Sequence, residues 1–314
     1  MKINRRNFLS NTAFLGLSSV IPYKAIATKN QIINFNSNEL RIGVITWSYR
    51  SLPSNLYSVI GYCLDSELNA MELMGGSVES YLGIPRRRSL QREWRENISM
   101  DRFKIVRKML DDAGIRVYAY KPSSIGMDNT DKEIENAIQA ASILGARSVT
   151  LEIFDGIQYK IPDKKKYDEY TQKLGDIGKK HNVYIGWHNH TQAHDALWDN
   201  VLSQSEYNSM NFDIGHYIAR GKGNTDKTLM KFLKKNHTRI TSIHLKDRMI
   251  PSNGGYNMEW GKGNTPILEV ISLAHKKNYN IDFTIELEYP VPTRSNAIRE
   301  VRKCKNYALK AITT

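Results

Sequence analysis

No stretch of the 314-residue chain approaches the roughly 18 consecutive apolar residues of a membrane-spanning helix. Cysteine is nearly absent, with two residues in all. Each lies on the apolar stripe of a helical pattern, Cys63 with Leu56, Val59 and Ile60, and Cys304 with Ala297, Val301 and Ala308. Two buried free thiols are therefore expected, and only an oxidising destination would leave a disulfide open. No glycine-rich dinucleotide turn and no G-x-x-x-x-G-K phosphate cradle follows any strand-like run. Acids are the minority charge, and the formal net charge is +13. Much of the excess sits in PRRRSLQREWRENISMDRFKIVRKM (85–109). This segment lacks the interleaved groove-reading elements of a nucleic-acid binder. It reads first as a solvated helix face beside an exposed loop, and second as a grip for an anion.

What is present is an ordinary soluble composition, 40% hydrophobic and 25% charged, on a chain long enough for one large domain. Residues 1–27 stand apart. NRRNFLS (4–10) sets two arginines before Phe-Leu, TAFLGLSSVI (12–21) is short and mildly apolar, and AIA (25–27) offers small residues for cleavage. This pattern is expected to be an export signal of the twin-arginine type, delivering the protein to the periplasm or an equivalent exported location. A linker, 28–38, separates it from a catalytic domain, 39–314.

From residue 40 onward the chain alternates. Apolar, β-branched runs occur at 40–49, 69–75, 115–121, 148–154, 183–190, 209–216, 239–247 and 281–289. Helical periods lie between them, as in DKEIENAIQAASILGA (131–146), with Ile134, Ala137, Ile138, Ala141 and Leu144 on one side. Helices are expected to stop at a glycine or asparagine before the next strand, as at Gly114 and Asn182. Strand–helix alternation implies parallel strands with right-handed crossovers. Eight such units imply an α/β fold, a single-domain (β/α)8 TIM barrel.

In that fold the C-terminal strand ends form the active site. Those ends carry Trp47 and Tyr49, Glu72, Lys121, Glu152, His188 and His190, Asp213 and His216, His244, Lys246 and Asp247, and Glu286 and Glu288. Positions two apart in a strand share a face, so His188 and His190 are expected to point the same way. His181, His194 and His237 fall in helix ends or loops and read as surface. Carboxylates crowded at one mouth would repel one another and lose hydration, and a divalent cation resolves this. Glu152, Asp213, His244 and Glu286 are the expected metal ligands. An oxygen-rich set with one nitrogen suits Mn2+, Zn2+, Co2+ or Mg2+.

The motifs AMELMGG (70–76), VTLE (149–152), WHNH (187–190), FDIGH (212–216), IHLKD (243–247), EWGKGN (259–264) and IELEY (285–289) carry a resemblance. In this order, over about 40–310, they resemble the xylose-isomerase-like barrel superfamily of sugar (phosphate) isomerases and epimerases. The resemblance implies a metal-dependent enzyme with a glutamate, aspartate, histidine and glutamate ligand set, which maps onto the same four residues. It also implies that the loop around Trp260, Gly261 and Gly263 covers the substrate. One departure stands out. Ketose 3-epimerase members carry a glutamate at the end of strand five, whereas His188-Asn189-His190 stands here, as in dehydratase and lyase branches.

The expected activity is isomerisation or epimerisation of a keto-sugar or polyol, by proton abstraction next to a carbonyl. A keto-sugar dehydratase or 3-keto-glycoside lyase is the alternative. Glu152, Glu286 and His190 would handle protons. Trp47, Glu72, Lys121, His188, His216, Lys246 and Trp260 would hold substrate. A small-molecule sugar is the expected partner, with no nucleic acid and no membrane span, and a homo-oligomer is left open. An apurinic-site endonuclease is disfavoured, because Lys121 replaces a histidine at strand three and 250–264 lacks the Asp and His of a third zinc. A sugar-binding protein without catalysis is the remaining rival.

Overall fold

A computed structural model describes residues 40–154 and 163–313. The expected export signal and linker lie outside the described residues. All eight expected runs supply barrel strands: β1 (Ile42–Ile45), β2 (Ala70–Met74), β3 (Arg116–Lys121), β4 (Ser148–Glu152), β5 (Tyr184–His188), β6 (Asn208–Asp213), β7 (Ile240–Leu245) and, eighth in the barrel, β10 (Asp282–Ile285). They close in the order β1-β10-β7-β6-β5-β4-β3-β2, with every neighbouring pair parallel. The intervening β8 (Asp247–Arg248) and β9 (Asn257–Met258) form a small antiparallel ribbon that the sequence pattern did not reveal.

Each apolar run is longer than its strand, and two of the tails turn into helix at the mouth. Residues 46–49 wind into a 3-10 helix, and 214–216 open the helix Ile214–Arg220. The helices have the anticipated ends. Thr130 and Glu133 form a capping box on Asp131–Leu144. Gly114 and Asn182 adopt φ of 68° and 55° at the helix stops. Asn182 tolerates the left-handed region better than most side-chain-bearing residues. The basic segment contributes the helices Gln91–Asn97 and Asp101–Asp112, and Arg95 forms a two-pronged pair with Glu79 at 2.8 and 2.9 Å. Both thiols are free and buried, as expected. Among the described residues no helix is long and apolar enough to cross a membrane.

Inside the barrel, period two sorts the side chains into layers. At the closed end Asp282 is 1% exposed and pairs with Arg41 at 3.0 Å and Arg116 at 2.6 Å. Above it Tyr118 donates to Thr284 Oγ1 at 2.8 Å. Gly43 makes room for that ring, since a Cβ there would press on Tyr118 and the Ala70 carbonyl. The next layer holds Glu72, Asn211 and His244, fully buried. The register shifts between Met71 and Glu72 against β3, and between Met210 and Asn211 against β7. Such irregularities re-aim side chains, and here each precedes a residue of this polar layer.

Candidate active site

The mouth is built by the inward alternation of five strands. Glu152 follows Thr150, His190 follows His188, Asp213 follows Asn211, Lys246 follows His244, and Glu286 follows Thr284. The structure thus brings Glu72, Lys121, Glu152, His188, His190, Asp213, His216, His244, Lys246 and Glu286 into one connected cluster. Trp47 and Trp260 stand apart from it. Trp47 is 45% exposed beneath the Arg50 guanidinium. Trp260 packs edge-on against Tyr307, with its indole N–H buried and unpartnered.

His244 is pinned between two carboxylates. Its Nε2 lies 2.7 Å from Glu72 Oε2 and its Nδ1 2.7 Å from Glu286 Oε2. Burial disfavours its charge, but Glu72 and Glu286 outweigh burial and lift it to about 10. At neutral pH it is an imidazolium. Lys246 is 2% exposed, and its Nζ lies 3.0 Å from Asp213 Oδ2, 2.9 Å from Glu286 Oε2 and 2.8 Å from Glu288 Oε2. Burial again opposes the charge, and the three carboxylates overcome it and hold the ammonium above its ordinary value. Burial raises the Glu286 carboxyl, yet Lys246 and His244 together keep it well below the carboxylate range.

On the opposite side, Glu152 Oε1 accepts from Lys121 at 2.6 Å, and its Oε2 lies 3.5 Å from His190 Nε2. Burial raises this carboxyl, but His188, Lys121 and His190 bring it down to about 2. Between the two sides His188 is the reverse of His244. Burial, with His244 and Lys121 nearby, outweighs Glu152 and lowers it to about 4, so it is neutral. Its Nδ1 lies 2.8 Å from Asn211 Oδ1. Asn211 Nδ2 donates to Ser242 Oγ at 2.8 Å, which leaves Oδ1 as acceptor. The hydrogen bond therefore assigns the proton to His188 Nδ1 and frees the Nε2 lone pair.

Two residues escaped the sequence reading. Asn211 sets that tautomer, and its signal was its place two residues before Asp213 on the same strand face. Asn189, between the histidines, accepts from the Asp213 N–H at 2.8 Å and donates to the Asp213 carbonyl at 3.0 Å. Its amide stitches the end of β5 to the end of β6. No local signal marks that role, because the partner is 24 residues away.

The donor set fits a divalent cation. Glu72 Oε1, Glu152 Oε2 and Asp213 Oδ2 are buried without a hydrogen-bond partner, although Asp213 Oδ2 has the Lys246 charge beside it. Glu72, Glu152, Asp213, Glu286 and Glu288 face three cations, Lys121, Lys246 and the His244 imidazolium, which leaves the cluster net negative. Ligand atoms of His188, Asp213 and His244 lie within 4.8 Å of one another, as do those of Glu152, His188 and His190. The four expected ligands are thus split among the described residues. Asp213 and His244 fall in one group, Glu152 in the other, and Glu286 in neither. His188, expected to hold substrate, is common to both.

A family model for the xylose isomerase-like TIM barrel matches residues 68–307. The chain belongs to the xylose isomerase-like TIM barrel family. A search of curated proteins gives no match. Among solved structures, the 3-keto-D-glucoside 4-epimerase of E. coli is 12% identical, with a TM-score of 0.62 over 87% of this chain and 100% of that one. The probable 3-DHS dehydratase of Bacillus anthracis is 13% identical, with a TM-score of 0.60 over 88% and 99%. The IolI protein, solved with a zinc atom, is 15% identical, with a TM-score of 0.63 over 87% and 98%. At such identities these likenesses establish the barrel alone, and the structures named include an epimerase and a dehydratase.

Proposed function

We propose that this family member is a divalent-metal-dependent isomerase or epimerase of a keto-sugar or polyol. One observation carries the reading. Glu152 ends β4 and Glu286 follows β10, and these strands are diametrically opposed in the closed order. His188, Asp213 and His244 belong to the strands between them. A substrate seated over those three residues would have a proton-handling group on each face.

Asp213, His188 and, once the metal displaces its proton, His244 would hold the metal, with Glu152 and Glu286 completing the set from either side. A bound Mn2+, Zn2+, Co2+ or Mg2+ would supply Lewis-acid polarisation of the carbonyl. The chain's own groups do the rest. One flanking carboxylate takes the proton from the carbon next to the carbonyl, the electron pair of that C–H bond forms a carbon–carbon double bond, and the carbonyl π pair moves to its oxygen. Lys246 presents a fixed positive charge to the resulting enediolate. Lys121 keeps Glu152 ionised, and His190 beside it relays a proton. Return of the proton to the opposite face inverts the carbon; return to the neighbouring carbon isomerises the sugar.

The His190–Glu152 pair also favours a second reading. An imidazole at that position would protonate a departing hydroxyl or glycosidic oxygen, which gives a dehydratase or 3-keto-glycoside lyase. Assay of the metal-loaded protein in D2O against free ketoses and a 3-keto-glucoside separates the two. Deuterium at the reacting carbon without loss of water or aglycone supports the isomerase. Elimination supports the lyase, and three bound metal ions per chain would instead point to a nuclease.

The N-terminal pattern supports export to the periplasm or an equivalent location. Replacing Arg5 and Arg6 by lysine is expected to retain precursor in the cytoplasm, as followed by fractionation. Unchanged export would refute the twin-arginine reading.

A further inference from the structure

Behind the histidines lies a cavity of about 530 Å3 whose lining includes Gln192, His194, Arg220, Lys222, Arg248 and Pro251. No acidic residue is among its described lining. It joins the candidate active site at two points. Arg248 Nη1 lies 2.6 Å from His216 Nδ1, and Gln192 Oε1 accepts the His190 N–H at 2.8 Å.

Among the described residues nothing acidic pairs with the charge of this wall. Arg220 Nη1 donates to the Ala193 carbonyl at 2.8 Å, and Arg248 Nε to the Gly255 carbonyl at 3.1 Å. Among the described residues neither guanidinium, though half-buried, has a carboxylate partner. Three other half-buried arginines pair with acids, Arg41 and Arg116 with Asp282 and Arg95 with Glu79, whereas Arg239, away from the cavity, is held by the Leu202, Ser205 and Asn208 carbonyls. Lys222, exposed at the rim, has a φ of 52°, in the left-handed region that side-chain-bearing residues seldom occupy. Guanidinium groups without counter-charge, in a cavity opening beside a reaction centre, are matched by a planar or tetrahedral oxyanion.

We infer that the cavity seats an oxyanionic group of the substrate, a carboxylate or a phosphate ester remote from the reacting carbon, with Arg220, Lys222 and Arg248 as its counter-charges. The inference rests on the sugar-enzyme reading and narrows its substrate class to acidic sugars.

The test titrates the full-length, metal-loaded protein with D-glucuronate, glucose 6-phosphate and glucose. It compares the wild type with an Arg220→Gln, Lys222→Gln double variant, in which neither replaced residue touches the Glu152–Glu286 cluster. One acidic sugar is expected to bind about 10- to 100-fold more tightly than glucose, and that preference is expected to collapse in the double variant. Which acid is preferred tells carboxylate from phosphate. A wild-type measurement guards against a folding defect in the variant. Binding of the preferred acid should weaken as salt rises from about 0.05 to about 0.5 M, while binding of glucose should not. Equal affinities, or a preference that survives the double variant or high salt, would overturn the subsite. Preference for an acid with no turnover of any sugar keeps the subsite and removes the isomerase reading. Turnover of a neutral ketose without acid preference does the reverse, and binding of none of the three overturns both.

Discussion

Asp213 shows how one side chain serves two purposes. Its Oδ1 accepts the His216 N–H at 2.7 Å and caps the helix Ile214–Arg220, while Oδ2 faces the cation cluster. Asn in its place keeps the cap but loses the charge, so Asp213→Asn is expected to retain the fold and lose both metal and activity. His190→Ala should keep the metal, measured by elemental analysis, and lower turnover by about 10²–10⁴, the range of a general acid or base. An empty site in His190→Ala beside a filled one in Asp213→Asn would make the end of β5 the ligand strand. Asn211 would act one residue removed from a bound metal, through His188. Asn211→Ala leaves the His188 tautomer unset, and metal affinity should fall by about 10- to 100-fold in a competition titration. Unchanged affinity would dismiss that positioning role.

At the scale of elements, the ribbon β8–β9 is fastened by one carboxylate. Asp247 Oδ2 accepts the N–H groups of Gly261 and Gly263, both at 2.8 Å, and Oδ1 accepts that of Thr265 at 3.1 Å. A Cβ at Gly263 would collide with this carboxylate, so the anchor requires that glycine, while Gly261 has a φ of 89° and lies against the Tyr307 ring. Asp247→Ala should cost about 1.5–3 kcal/mol, the scale of hydrogen bonds to a charged group, read from the denaturant midpoint. It should also speed proteolysis within 258–265; unaltered cleavage would show that the loop holds its shape without Asp247. The helices Leu56–Asp65 and Ala297–Thr313 carry the two cysteines on their buried faces. Burial pushes both thiols up to about 12. Native protein at pH 8 is therefore expected to resist a thiol-disulfide reagent, and denatured protein to react at both sites. Prompt reaction of either in the native state would contradict this packing.

For the whole molecule, the barrel interior grades from one end to the other. The closed end is an arginine–aspartate knot on Asp282, the middle a Tyr118–Thr284 contact, and the open end a charged cluster that only a cation or substrate balances. The lower layers fix the strands whose last residues form the charged cluster. The net charge of +13 is not uniform either, for the mouth concentrates carboxylates while the adjoining cavity is lined by Arg220, Lys222 and Arg248.

The sequence by itself determined the eight-unit alternation, the strand ends and most of the polar residues gathered there. Hydrophobic period and inward alternation are local properties, readable along the chain. It marked Glu152, Asp213, His244 and Glu286 as charged groups sharing one mouth, but their grouping belongs to the tertiary structure. Only closure of the barrel set His244 between Glu72 and Glu286, placed Lys246 among three carboxylates, and turned Asn211 toward His188. The physical reason is distance along the chain. Glu72 and His244 are 172 positions apart and meet at 2.7 Å, and whether an imidazole is charged or neutral depends on which carboxylates lie beside it and how much water is excluded. Those quantities exist only once the strands have closed.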